Sequence, residues 1–548
     1  MSTSNRLAAA VTAALLAATL GFSPPGHAQQ THMHDQQAVD QDAPIGAVDF
    51  RVSCDEAVRA DFDRALGLMH HMMYEQARSE FEQVAAADPD CAMANWGVAT
   101  TLFQPLWGTR PSSEEIRHGR DNVRKAMAAD HGTERERLLM QATGAFFSEP
   151  DDATVRSRIE RWAEEMQLAY QANPEDADTA ALYALSRLAL AQWASEPDQL
   201  RDQAETILRT VWQRNPTHPG AVHYAIHATD ANGHAENALD MVEAYADIAP
   251  RVPHALHMPS HIYVRLGDWP SVIEWNRRSA EAALRHPVGD AVSHHYIHAI
   301  DYLAYAHLQR GEDARAEALH DQVKGRGPYQ ASFVSAYHVA ALPARLAVER
   351  QRWEDAAALQ PRSPDYLPWD QARWPEALTW FARGLGALHT GDLEDAREAE
   401  QRLQTLRDHA RDEGDENFAN YIEVDRRILA GTLAQQEGSP EEAVRLMRSA
   451  AELESTTDKH PVTPGALLPP NEALGDLLLE LERPEEAMAA YRTSDGIWPG
   501  RFNTLLGGAR AAKAAGDEAA NREFNARLLE VAGGSERDAV IHHELDQR

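Results

Sequence analysis

Three histidine clusters follow one another closely: HYAIHATD at 223–230, HALHMPSH at 254–261 and HHYIHAID at 294–301. Two histidines four apart on a helix project from one face, one turn apart, and can clamp a metal ion between two ring nitrogens. His223/His227, His257/His261 and His294/His298 all keep that spacing. Asp230 and Asp301 extend two of the stripes by a turn, and His254 extends the middle one in the other direction. Imidazole and carboxylate without thiolate suit a divalent transition metal: Zn, Cu, Ni or Fe. An ion held by three side chains keeps a position for water or dioxygen, with Asp230 or Asp301 as ligand or general base. Two other readings remain open. The rings could form a polar or pH-responsive network, or recognise an organic ligand directly.

The chain must bring these stripes together, and its period says how. Pro216 and Pro250 are 34 apart, as are Gly233 and Gly267. In that register His223 and His257 share one helix position, and His227 and His261 share another. Gly311 comes 44 after Gly267, so a loop longer by three and a helix longer by seven bring His294 and His298 into the same places. His295 then falls out of register. Pro259, inside the middle helix, is expected to kink it.

Further along, Trp380, Gly384, Gly391 and Ala396 recur at a fixed spacing, as do Gly475, Ala487, Tyr491 and Pro499, while Ala77, Phe81 and Pro89 open the series. These residues resemble the tetratricopeptide repeat, which implies an all-α fold: an α-solenoid of stacked helical hairpins, with about eight to ten units between residues 50 and 535. In that family the first helix of each unit faces a concave groove, and most members bind a protein or peptide partner. The resemblance therefore places His223, His227, Asp230, His254, His257, His261, His294, His298 and Asp301 along one channel, with Tyr224, Tyr263 and Tyr296 as supporting partners. CAMANWG at 91–97, HMPSHIYVRLGDW at 257–269 and HPVTPG at 460–465 also resemble exported bacterial repeat proteins.

Segment by segment, residues 1–28 read as a cleavable secretory signal, with Arg6, an apolar run and an exit ending at Ala28, so the expected address is periplasmic or secreted. A polar flexible leader is expected over 29–48, then N-terminal repeats over 49–200, the histidine-rich repeats over 201–325, C-terminal repeats over 326–535 and a polar tail over 536–548. No other apolar run reaches the length of a membrane span. Lys plus Arg number 52 against 85 Asp plus Glu, a net charge of -33, which argues against nucleic acid as a partner. The two cysteines, Cys54 and Cys91, are expected to pair as a disulfide in an oxidising compartment.

Of the remaining histidines, His70-His71 reads as an exposed pair near the groove, and His338 and His460 as lesser groove candidates. Trp107, Trp369 and Trp374 read as core. There is no HExxH, no GxSxG, no phosphate loop and no catalytic cysteine. The expectation is thus an exported superhelix that binds a protein, peptide or small ligand in a metal-bearing groove. The alternative is a metal-dependent hydrolase or oxidoreductase with the His/Asp cluster as its active site.

Overall fold

The computed structural model describes residues 43–546 apart from 49, 108, 109, 130 and 131, so the expected signal and most of the expected leader lie outside the described residues. Pro44 onward forms one compact unit. It is an all-α solenoid of stacked, TPR-like helical hairpins, in which most helices pack on the next in sequence. Among the described residues the only strand-type pairings are the isolated bridges Val288–Ala291 and Val292–Tyr329.

Local chemistry sets the helix boundaries. Ser112 and Glu115 close a capping box at the start of Ser113–Met127, which satisfies two otherwise orphaned N–H groups. Gly391, at φ 87°, ends Arg373–Thr390 in the left-handed conformation that a side chain resists. Cys54 and Cys91 are joined as a disulfide that ties the opening of the chain to the end of its first hairpin. No described helix is long and apolar enough to cross a membrane.

Seven helices position the histidine-rich region: α1 (Arg59–His70), α2 (Pro219–Thr229), α3 (Pro253–His257), α4 (Pro259–Leu266), α5 (Trp269–Ala283), α6 (His294–Gln309) and α7 (Phe333–Glu349). α2 starts with His218 as cap, its Nδ1 accepting from Ala221 N at 3.1 Å, and with Pro219 in the first turn. α3 and α4 are one helical path interrupted at Pro259. The proline has no N–H to give, and the ladder resumes with a three-residue bond from His261 N to Met258 O.

The superhelix is wound tightly enough to touch itself. Asn417 Nδ2 donates to Gln192 O at 2.8 Å, Trp269 Nε1 to Gly500 O at 2.9 Å, and Arg537 pairs with Asp313 at 2.8 Å. These contacts join residues 224 to 231 positions apart. At the histidines there is consequently no open groove, because the interior is filled by side chains from successive turns. At the edges of the described residues two segments pack on the fold. Ala47 N bonds Thr217 O at 2.9 Å, so the last residues of the expected leader dock on the fold. Most of the expected polar tail forms a helix, Asp538–Asp546, that buries Ile541.

α1 and α2 approach closely because Gly220 has no side chain. A Cβ there would lie 2.5 Å from His70 Nδ1, and His70 cannot move aside while Tyr224 and Asp178 hold both its nitrogens. Gly220→Ala is expected to cost about 1–3 kcal/mol in urea unfolding. An unchanged midpoint would contradict this packing.

Candidate metal centre

The histidines of α2, α3, α4 and α6 converge on the interior. His223, His254, His257, His261 and His298 are each 2% exposed or less. They form two groups. One nitrogen from each of His223, His227 and His254 lies within 4.8 Å of the other two, and the same holds for His257, His261 and His298. The groups adjoin, with ring centroids 5.7 Å apart for His227 and His261 and 5.9 Å apart for His254 and His257.

Hydrogen bonds fix which nitrogens carry protons in the second group. Asn276 donates its amide N–H to Val272 O at 2.8 Å, which turns its oxygen toward His257 Nδ1 at 2.7 Å. His257 therefore donates from Nδ1. His261 Nδ1 donates to Asp230 at 2.9 Å. His338 donates from Nδ1 to Asp301 at 3.0 Å, so its Nε2 accepts from His298 Nδ1 at 2.6 Å. Each of the three rings thus spends its Nδ1 proton on a partner behind it and turns a bare Nε2 lone pair inward. His257 Nε2 and His261 Nε2 face each other at 3.0 Å. Two lone pairs at that separation repel unless a cation or a proton sits between them. Two imidazoles bound to one tetrahedral ion at 2.0–2.1 Å have nitrogens about 3.3 Å apart, so little movement separates this geometry from a ligated one.

The first group lacks protein partners where a ligand would sit. His223 Nδ1 donates to His70 O at 2.6 Å, leaving Nε2 bare. Among the described residues His223 Nε2, His227 Nε2 and both nitrogens of His254 are buried without a hydrogen-bond partner. An unmet buried polar group costs about 1–3 kcal/mol. The contrast with α1 is sharp. His70 bonds Tyr224 and Asp178, and His71 bonds Tyr245 and Ile45 O. His218 joins Asp178 at 3.2 Å, so His70, Asp178 and His218 form a closed structural network. His70 and His71, expected as an exposed pair, are fully buried.

Burial holds the rings neutral. It pushes His223, His254, His257, His295 and His298 well below the ordinary imidazole range, with neighbouring rings adding to the effect, and it brings His227 down to about 3. Neutral imidazole is the form that ligates a metal. The carboxylates stand behind the rings and are already engaged. Burial alone would raise Asp230, but Lys459 at 3.0 Å and Arg265 at 2.8 Å outweigh it and keep the group ionised. Asp301 is fully buried and likewise held ionised by Arg345 and His338, each at 3.0 Å.

Eight of the nine residues singled out in the sequence stand in this cluster or directly behind it: six rings in the two groups, and Asp230 and Asp301 as acceptors. His294 stands apart, its Nδ1 3.3 Å from Ser332 Oγ. His295, its neighbour, lies with its ring 5.2 Å from His254 and its Nδ1 without a partner. The corrected count brings His298 to His257 and His261, while neither His294 nor His295 belongs to either three-histidine group. Of the tyrosines, Tyr224 serves His70, and Tyr296 lies under Arg326. Tyr302 is the one against His257 and His298, with ring distances of 4.5 and 5.2 Å. Asn276, His338, Arg345 and Lys459 complete the outer layer and lie outside the repeated helix position. Only His338 gave a signal in the sequence. Trp107 covers the cluster, 5.0 Å from His254 and 5.7 Å from His298.

No known family profile matches the chain, and no curated protein does. Among solved structures it is similar to a human IFIT1 dimer with PPP-AAAA (13% identity, TM-score 0.38, covering 92% of this chain and 95% of that one). A human IFIT1 dimer with m7Gppp-AAAA is similar at 13% and TM-score 0.36, over 92% and 95% of the two chains. A monomeric IFIT1 mutant with Gppp-AAAA is similar at 13% and 0.38, over 92% and 96%. Overlap this loose carries nothing about activity.

The neutral rings make the metal-free protein acid-sensitive. Their folded-state values lie below the unfolded value of 6.5, so the unfolded chain takes up protons first, and stability present above pH 6.5 is lost as pH falls. His71, His227, His294 and His460 are each held near 3 by burial. Each is worth about 1.4 kcal/mol per pH unit below that point. Urea unfolding of metal-free protein should therefore weaken by several kcal/mol between about pH 7.5 and 5.5. A flat profile would contradict the neutral cluster.

Proposed function

We propose that this chain is an exported helical-repeat protein that holds two transition-metal ions inside its superhelix, one in each three-histidine group. The observation that carries the reading is the inward-facing pair of His257 Nε2 and His261 Nε2, 3.0 Å apart, with both Nδ1 protons committed elsewhere. A neutral, all-imidazole donor set suits Zn, Cu, Ni or Fe over Mg or Ca. His223, His227 and His254 would hold one ion and His257, His261 and His298 the other. Asp230, Asn276 and His338 would fix ring orientation, and Asp301 with Arg345 would fix His338.

Because the cluster is enclosed, a peptide or protein partner would have to bind elsewhere on the surface. A second reading, a metal-dependent hydrolase or oxidoreductase, is favoured by one feature: each group offers three nitrogens, which leaves a coordination position for water, dioxygen or substrate. A bound ion would supply Lewis acidity or redox chemistry there. The residues around it would exclude bulk water: Trp107 on one side, and on the other Tyr302, whose hydroxyl donates to Thr463 O at 3.0 Å.

Metal content of protein purified without an affinity tag tests the first reading. Two equivalents per chain are expected. His257→Ala/His298→Ala should lose one and keep the other, and Asn276→Ala should weaken one site about 10- to 100-fold. Wild-type protein without stoichiometric metal after incubation with Zn, Cu, Ni and Fe, or a double variant that retains both equivalents, would overturn it.

A further inference from the structure

A second site lies beyond the metal cluster, in a cavity of about 320 Å³ between the helix Glu416–Gln436, the end of Pro440–Ser455 and the segment 457–467. Charged groups of both signs line it: Arg201 pairs with Asp198 and Asp458, and Arg265 and Lys459 pair with Asp230, while the lining carboxyls Asp425 and Glu454 stand outside these pairs. Asp425 is 8% exposed, and only burial and the neighbouring Glu454 act on it, both pushing it well above the usual carboxylate range. Glu454 is raised to about 7 by burial. Its Oε1 accepts from Trp498 Nε1 at 3.0 Å, and its Oε2 is buried without a partner. Elsewhere in this chain buried carboxylates are paired with care: Asp301 with Arg345, Asp230 with Lys459, Glu472 with Arg501. Placing two buried carboxyls together, with only the Trp498 N–H and the more distant Arg501 to offset the charge of Glu454, costs stability.

An independent group lines the same space. His460 is 6% exposed, and its Nδ1 accepts from Val462 N at 3.0 Å, so its Nε2 carries the proton. That N–H is buried with no acceptor among the described residues. A ring in this tautomer cannot ligate a metal through Nε2, so the cavity offers a donor where a metal site would need a lone pair. The walls between these groups are aromatic. Trp374 and Tyr421, 4.6 Å apart at their centroids, both line the cavity, as does Trp498.

We propose that this cavity binds a small organic ammonium with an apolar or aromatic body. Its charged nitrogen lies against Asp425 and Glu454, its body against Trp374 and Tyr421, and a hydroxyl or carbonyl oxygen accepts from His460 Nε2. The ammonium stabilises the ionised form of the carboxyl pair, so its binding displaces a proton that burial otherwise retains, and aromatic faces favour an organic cation over a strongly hydrated metal ion. The volume lies in the range of small-ligand sites. The proposal does not rest on the metal reading. The cavity touches only the outer layer of that cluster, at Arg265 and Lys459.

The test is calorimetric titration of the full chain with phenethylammonium and tyramine, and with the uncharged isostere 2-phenylethanol, each up to about 10 mM. Both amines are expected to bind about tenfold or more tightly than the alcohol, tyramine the tighter through its hydroxyl, with a change in tryptophan fluorescence. Asp425→Asn and Glu454→Gln should each abolish the preference for charge. Asp425→Asn should also raise the melting temperature of the unliganded protein, because it removes a carboxyl that has no partner. Equal binding of amine and alcohol, a preference that survives both substitutions, or no binding by either amine in the range would overturn the proposal. A loss of metal affinity in the histidine variants would leave these results unchanged.

Discussion

The structure turns on a repulsion that protein atoms leave unresolved. Two imidazoles on consecutive helical segments are each pinned from behind, one by Asn276 and one by Asp230, so that their remaining lone pairs meet 3.0 Å apart. A third ring is pinned through His338 to Asp301. Burial prevents the simplest remedy, which is protonation, since a charged ring would have to be desolvated. The remedy proposed above is a cation between the two lone pairs.

The rest of the fold can be read as the means of holding that arrangement rigid. Pro259 divides α3 from α4 at the point where His257 and His261 must meet. The segment 457–467 crosses the cluster, with Lys459 on Asp230 and the carbonyls of Pro461 and Thr463 receiving the hydroxyl of Tyr302. Arg345 joins Asp301 to Gly465 O, at 3.0 and 3.2 Å. Arg501, 1% exposed, joins Glu349 and Glu472 at 2.8 and 3.0 Å beneath the next turn. Breaking a buried pair leaves an uncompensated charge, so these bridges specify one winding of the superhelix more than they add to its net stability.

The histidine pairs were legible because a four-residue spacing on a helix means one face, and a 34-residue period means neighbouring hairpins. Both rules are local. The glycines that end helices were legible for the same reason, and the pairing of Cys54 with Cys91 followed from their being the two cysteines of a chain expected in an oxidising compartment. The tight winding was not, because it depends on contacts between residues more than two hundred positions apart that no repeat pattern encodes. It changed an expected groove into an enclosed cluster and engaged Asp230 through Lys459, 229 positions away, while Asp301 is engaged by Arg345 from the neighbouring helix α7. The position of His294 apart from the two groups has a more local setting. The bridges at Val288–Ala291 and Val292–Tyr329 shape the entry to α6, and counting from glycines cannot see them.

The most direct measurement is anomalous diffraction from crystals of metal-loaded protein, collected on both sides of the absorption edge. This account predicts two peaks, one about 2.0–2.1 Å from nitrogens of His257, His261 and His298 and one equally close to His223, His227 and His254. Crystals in which His257 Nε2 and His261 Nε2 keep their short separation with no anomalous density between those rings would contradict it.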